Sequence, residues 1–131
     1  MATELLVLAL GAVLLIVHVL AAVHYKTRQF GLEWNMGARD EDKGELDDIA
    51  GRLERASANF RETFPVAIVV FAGLVLAEKT TGLTAIAAWV WLGARVVYLP
   101  VYWAGIAKIR TAIWAVSLLA LIAALGVLLF G

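Results

Sequence analysis

Four long apolar stretches, separated by two short polar breaks and one long one, set the frame of this chain. Residues 5–23 are apolar except for His18, enough helix to cross a hydrocarbon core of about 30 Å. A signal peptide would open on basic residues and close on a small-residue cleavage site. This stretch opens near Glu4 and runs into His24-Tyr25-Lys26, so it is expected to be a retained helix. The second apolar stretch, 64–77, is too short to span by itself, and the amphipathic residues before it must supply the remaining length. Two further stretches, ending near Ile106 and Phe130, follow the polar turn Glu78-Lys79-Thr80-Thr81-Gly82 and the basic turn at Lys108 and Arg110. The expected helices are about 4–24, 46–78, 83–107 and 111–130. They form one all-α domain over 1–131, an integral membrane four-helix bundle. A polar loop at about 25–45 is punctuated by Gly31, Gly37 and Gly44.

Composition agrees with this frame and removes several kinds of chemistry. Hydrophobic residues make up 63% of the 131 positions, against about 45–50% in soluble domains. With no cysteine, disulfides, thiolate metal sites and a cysteine nucleophile are excluded. His18 and His24 lack further ligands at zinc spacing, so no metal is expected, and His18 reads as a packed residue. The acids between Asp40 and Asp48 read as solvated. No glycine-rich phosphate loop or nucleophile elbow occurs. The cations are mixed with acids at membrane-edge helices, which argues against nucleic acid.

The formal net charge is zero, but the cations are unevenly placed. Lys26, Arg28, Arg39, Lys43, Arg52, Arg55 and Arg61 lie in or just after the first loop, and Lys108 and Arg110 lie in the third connection. The opposite side holds only Lys79. The positive-inside rule then places the 25–45 loop in the cytoplasm and both termini outside.

The candidate chemistry sits where the charged segment enters the membrane. At 100° per residue, Arg52, Arg55, Asn59 and Glu62 fall within an arc of about 80° on the second helix. Arg61 lies opposite that arc. On the third helix Tyr98 and Tyr102 fall about 60° and 20° from Arg95, a second stripe. Ionisable groups at such depth are costly and usually face a protein interior. The competing reading is a solvated helix face with pairs such as Asp48–Arg52, and tyrosines that only pack. Several arginines against one deep acid, Glu62, leave excess positive charge that suits an anionic ligand: carboxylates on the arginines, an amino group on Glu62, amides on Asn59 and the tyrosines. A thiol near Arg110 would be favoured as thiolate.

Arg55-Ala56-x-x-Asn59-x-x-Glu62-x-x-Pro65, then Arg95-x-x-Tyr98-x-x-x-Tyr102 and a basic turn before the fourth helix, resembles the MAPEG family, membrane-associated proteins in eicosanoid and glutathione metabolism. The resemblance covers essentially the whole chain. Gly31-Leu32-Glu33-Trp34-Asn35 with Gly37 and Arg39-Asp40-Glu41 is similar to its bacterial branch. The resemblance implies a homotrimer in a bacterial inner membrane, with glutathione as co-substrate bound between subunits on the cytoplasmic side. It further implies that Arg55, Asn59, Glu62, Arg95, Tyr98 and Tyr102 bind glutathione, with Arg52 and Arg28 as further contacts, and that Arg110 from the adjacent subunit holds the thiolate. The implied activity is transfer of glutathione to a lipophilic electrophile or reduction of a lipid hydroperoxide. Two departures stand out: Thr63 replaces a tyrosine found in the leukotriene-synthase branch, and the spacing from Tyr102 to Arg110 differs by about a residue from eukaryotic patterns.

Two other readings compete. A non-catalytic membrane protein could bind glutathione or another anion, or serve as an assembly partner, and would show no thiolate shift. A small exporter would carry an acid deep in the first helix, whereas Glu4 sits at its edge.

Overall fold

The computed structural model describes all residues, Met1–Gly131. The chain is all-helical: α1 (Thr3–Phe30), α2 (Leu32–Met36), α3 (Asp48–Leu76), α4 (Gly82–Trp103) and α5 (Ala107–Phe130). The four long helices are each long and apolar enough to cross a membrane, so this is an integral membrane protein. They run up and down as a bundle. α3 and α4 touch each other and both of the remaining long helices, whereas α1 and α5 do not meet.

α1 continues past its expected end at about 24 to Phe30, and the expected loop contains the one-turn helix α2. The extension holds because its polar residues find partners on the next helix. The Lys26 ammonium lies 2.6 Å from the Glu54 carboxylate. The Gln29 amide donates to the Glu45 carbonyl at 2.8 Å and accepts from the Asp47 amide at 2.7 Å. Asp47 in turn caps α3, its carboxylate accepting from the Ala50 amide at 2.9 Å. At the opposite end the Thr81–Thr84 capping box starts α4. There the Lys79 ammonium donates to the Leu128 carbonyl at 2.9 Å, joining the α3–α4 turn to the end of α5.

The core is built on aromatic rings. Trp91 is fully buried, with Phe60, Phe64 and Phe71 at centroid distances of 6.1, 6.0 and 6.0 Å. Gly11 of α1 faces this cluster. A Cβ there would stand 3.0 Å from Phe64 and 3.3 Å from Trp91, so the small residue lets α1 approach closely. Lipid is as apolar as the core, so close packing rather than water exclusion holds such helices together. Buried His18 stacks on Phe60 at 5.0 Å.

Both α3 and α4 end in the same motif. The Lys79 amide bonds to the Leu74 carbonyl and the Glu78 amide to Val75; the Ile106 amide bonds to Val101 and Gly105 to Tyr102. These paired bonds form the Schellman C-cap, which places the residue after the cap in the left-handed region. Gly105 occupies that place with φ +76°, but in α3 it is Glu78, with φ +55°. A left-handed non-glycine residue costs about 1–2 kcal/mol. Because Glu78 is exposed and makes no ion pair, Glu78→Gly is expected to raise the thermal unfolding midpoint in detergent; an unchanged or lower midpoint would contradict the strain.

Candidate functional site

A cleft of about 210 Å³ opens at the end of the bundle that carries the α1–α3 and α4–α5 connections. Arg52, Arg55, Tyr102, Gly105, Ala107 and Arg110 line it. Arg52 and Arg55 come from the first two turns of α3, which α3 needs in order to reach past its apolar half. Tyr102 lies at the end of α4 and Arg110 in the first turn of α5, so the short Ala104–Ile106 connection folds one back against the other.

Tyr102 is the hub of the cleft. Its hydroxyl accepts from the Arg55 Nε at 3.3 Å, which leaves the phenolic proton free to be donated. Its ring carries the Arg110 guanidinium 4.7 Å from the centroid, a cation–π contact. Tyr98 meets Tyr102 edge-on at 5.5 Å, and the Arg95 guanidinium lies 4.3 Å over the Tyr98 ring. Arg95, Tyr98, Tyr102 and Arg110 therefore form a continuous ladder from the interior to the cleft. Arg95 and Tyr98 are buried, and the three Arg95 nitrogens have no hydrogen-bond partner in the protein. Two rings, Phe60 at 5.2 Å and Tyr98, face its charge.

The charge of the cleft is uncompensated. Protein ion pairs within 4.0 Å join Lys26 and Arg61 to Glu54 and Lys43 to Glu41; none involves Arg52, Arg55, Arg95 or Arg110. α5 adds to this, since its N-cap Ile106 supplies no side-chain cap and Ala107, its first residue, lines the cleft. An uncapped helix N-terminus favours negative charge. Guanidinium forks, a phenolic donor and a helix N-terminus around one small cavity make an anion-binding arrangement.

Of the residues singled out in the sequence, Arg52, Arg55, Tyr102 and Arg110 come together here, with Tyr98 and Arg95 stacked beneath. The rest of the α3 stripe does not converge with them. Asn59 is half-buried with its Oδ1 unpartnered, and Glu62 is exposed, without a hydrogen bond or ion pair within the subunit. The cause is distance along the axis: Glu62 shares the arc with Arg55, but at about 1.5 Å per residue it lies about 10 Å farther along α3. Arg28 stands elsewhere, over the Tyr25 ring at 5.7 Å, in a cavity with Gln29, Asp47 and Ile49.

Two glycines of the site escaped sequence reasoning. A Cβ at Gly51 would stand 3.1 Å from an Arg55 guanidinium nitrogen, so this glycine makes room for the Arg55 head group. Gly105 does the same for Arg52, with a Cβ position only 2.8 Å from the guanidinium carbon. Gly105 stops α4 at Trp103, short of the expected end at about 107, because a left-handed glycine closes the helix there.

No group of three His, Asp or Glu side chains stands close enough to hold a metal ion. No curated protein and no solved structure matches the chain. A family model matches residues 4–130, nearly the whole chain, and by that match the protein belongs to the MAPEG family.

Proposed function

We propose that this protein is a glutathione-dependent membrane enzyme that transfers glutathione to lipophilic electrophiles or reduces lipid hydroperoxides. The MAPEG family includes such transferases and peroxidases as well as non-catalytic members. The observation that carries the reading is the cleft in which Arg55 and Arg110 stand without a protein carboxylate. Glutathione brings two carboxylates, which suit guanidinium forks, and a thiol, whose anion a nearby cation favours. In transfer, the thiolate sulfur forms a bond to the electrophilic carbon and the leaving group departs with its electron pair. In peroxide reduction, two glutathiones supply two electrons and two protons, giving disulfide, alcohol and water.

The surroundings support a lipophilic second substrate. An apolar groove of about 260 Å³, lined by Val90, Gly93, Ala94, Val97, Ile113 and Val116, lies between α4 and α5 on the outer face. Val97 adjoins Tyr98, and Ile113 lies one turn beyond Arg110. The groove thus offers an apolar surface to a lipophilic substrate on the same two helices, α4 and α5, that carry Tyr102 and Arg110.

Glu62 projects from the subunit, where the amino group of a ligand bound between subunits would meet it; this fits a homotrimer with shared sites on the cytoplasmic side of a bacterial inner membrane. Glu62→Ala is then expected to raise the glutathione Kd by between about ten- and a hundredfold, since a hydrogen bond to a charged group contributes about 1.5–3 kcal/mol. Calorimetric titration of the detergent-solubilised protein checks this, and an unchanged Kd would remove Glu62 from the site.

The deciding experiment follows ultraviolet thiolate absorbance during glutathione titration near neutral pH. A thiolate signal on the wild-type protein that disappears in Arg110→Ala supports the enzyme reading. Binding without that signal would make the protein a glutathione-binding member without catalysis.

A further inference from the structure

We infer that Arg52 is a positioning residue: its guanidinium latches the α4–α5 turn and so sets the direction of Arg110, rather than contacting the ligand itself. The kinetic consequence rests on the glutathione-dependent reading, while the latch rests on geometry alone.

The turn leaves three carbonyls, those of Trp103, Ala104 and Gly105, without a backbone donor. At the end of α4, the Pro100, Val101 and Tyr102 carbonyls accept from the Ala104, Ile106 and Gly105 amides. The Trp103 carbonyl receives no backbone donor across the turn, and the next helical bond is the Arg110 amide to Ile106. Arg52 fills this vacancy from α3, its Nη1 donating to the Trp103 oxygen at 3.4 Å.

The same guanidinium lies flat against Gly105. A Cβ on that residue would stand 2.8, 3.0 and 3.1 Å from the Arg52 Cζ, Nη2 and Nε. Three near-equal approaches place the plane of the fork over the glycine, where only a hydrogen fits. Gly105 thus serves twice, once for its left-handed backbone and once as the seat of Arg52. A planar fork can donate along its edge and stack with its face at the same time; a lysine ammonium cannot.

What the latch controls is the relation between Tyr102 and Arg110. Tyr102 lies three residues before Gly105 and Arg110 five residues after it, and the two side chains meet across the turn at 4.7 Å. Any change in the turn's shape swings α5's first turn against α4 and moves the Arg110 head group. A misplacement of about 1 Å in a catalytic group can cost a hundredfold in rate.

Two substitutions test the role without deleting charge. Arg52→Lys keeps the cation but loses the planar fork, and Gly105→Ala keeps every donor but displaces Arg52. In the full-length solubilised protein, each is expected to lower kcat about tenfold with the KM for glutathione within about twofold. In ligand-free protein, each should speed hydrogen exchange of the Gly105, Ile106 and Arg110 amides about tenfold. Should Gly105→Ala fail to fold, Arg52→Lys, changed only at the tip of a side chain, decides alone. A glutathione KM raised tenfold in Arg52→Lys, with kcat and amide exchange unchanged, would make Arg52 a ligand contact and overturn the latch. If wild-type protein binds no glutathione, the functional reading fails instead, and amide exchange in Arg52→Lys still decides the latch.

Discussion

Arg110→Ala is expected to cut turnover at neutral pH by between about ten- and a hundredfold while leaving glutathione affinity within about threefold. The expectation follows from how the side chain is held. Its guanidinium rests on the Tyr102 ring and makes no ion pair with the protein, so its charge is left for an anion in the cleft. A hydrogen bond to a charged group contributes about 1.5–3 kcal/mol, which corresponds to a thiol pKa lower by about one to two units. An ordinary thiol, with a pKa of about 8.5, is only a few per cent ionised at pH 7, and the reacting species is the thiolate. The carboxylates of glutathione would still find Arg55, so binding should survive. The sign with pH is definite. Losing the cation raises the thiol pKa, so the acid limb of the rate profile should move to higher pH by one to two units, and the variant should recover toward wild-type rates in alkali. A parallel drop at every pH would mean that Arg110 acts on something other than thiolate formation.

Trp91→Ala should lower stability by about 3 kcal/mol, the largest loss available from a single core residue. The indole is fully buried among Phe60, Phe64 and Phe71 and sits over Gly11. Trp→Ala in soluble cores costs about 3–5 kcal/mol, part transfer from water and part cavity. In a membrane the separated helices already lie in hydrocarbon, so the transfer part largely vanishes and the cavity part remains. The low end of the range is therefore expected. Because Trp91 lies one turn from Arg95 on α4, the cavity should also loosen the Arg95–Tyr98–Tyr102 ladder. Unfolding in mixed micelles measures the first effect, and a loss below about 1 kcal/mol would show that the ring cluster is not what joins α1, α3 and α4.

The membrane-spanning helices and much of the cleft were legible because both depend on spacing along one helix. Hydropathy alone located the apolar lengths, and the 100° rule put Tyr98 and Tyr102 on the face with Arg95. What spacing could not show was which partner each face would meet. Lys26, Thr27 and Arg28 look like a loop, yet they continue α1 because Glu54 waits for Lys26 across the groove. Lys108 and Arg110 look like a connection because cations oppose the dipole of a helix's first turn; α5 nonetheless begins at Ala107, and that same opposition concentrates positive potential on the cleft. Glu62 lies on the same arc as Arg52 and Arg55, but it stands nearly three helical turns, about 15 Å, beyond Arg52 along α3. Glu4 looked like an edge residue and is buried at 3% exposure, accepting from the Thr84 hydroxyl at 2.8 Å.

That last bond spans 80 residues, and it bears on the order in which the bundle assembles during synthesis. α1 emerges first, when Thr84 does not yet exist. Until α4 enters the membrane, the Glu4 carboxylate has to stay hydrated, because an unpartnered carboxylate is costly to bury. The α4–α5 hairpin, joined by a connection as short as Ala104–Ile106, can close as soon as both helices are made. The N-terminal tip of α1 therefore waits at the water boundary, for more than half the length of the chain, until α4 supplies its partner.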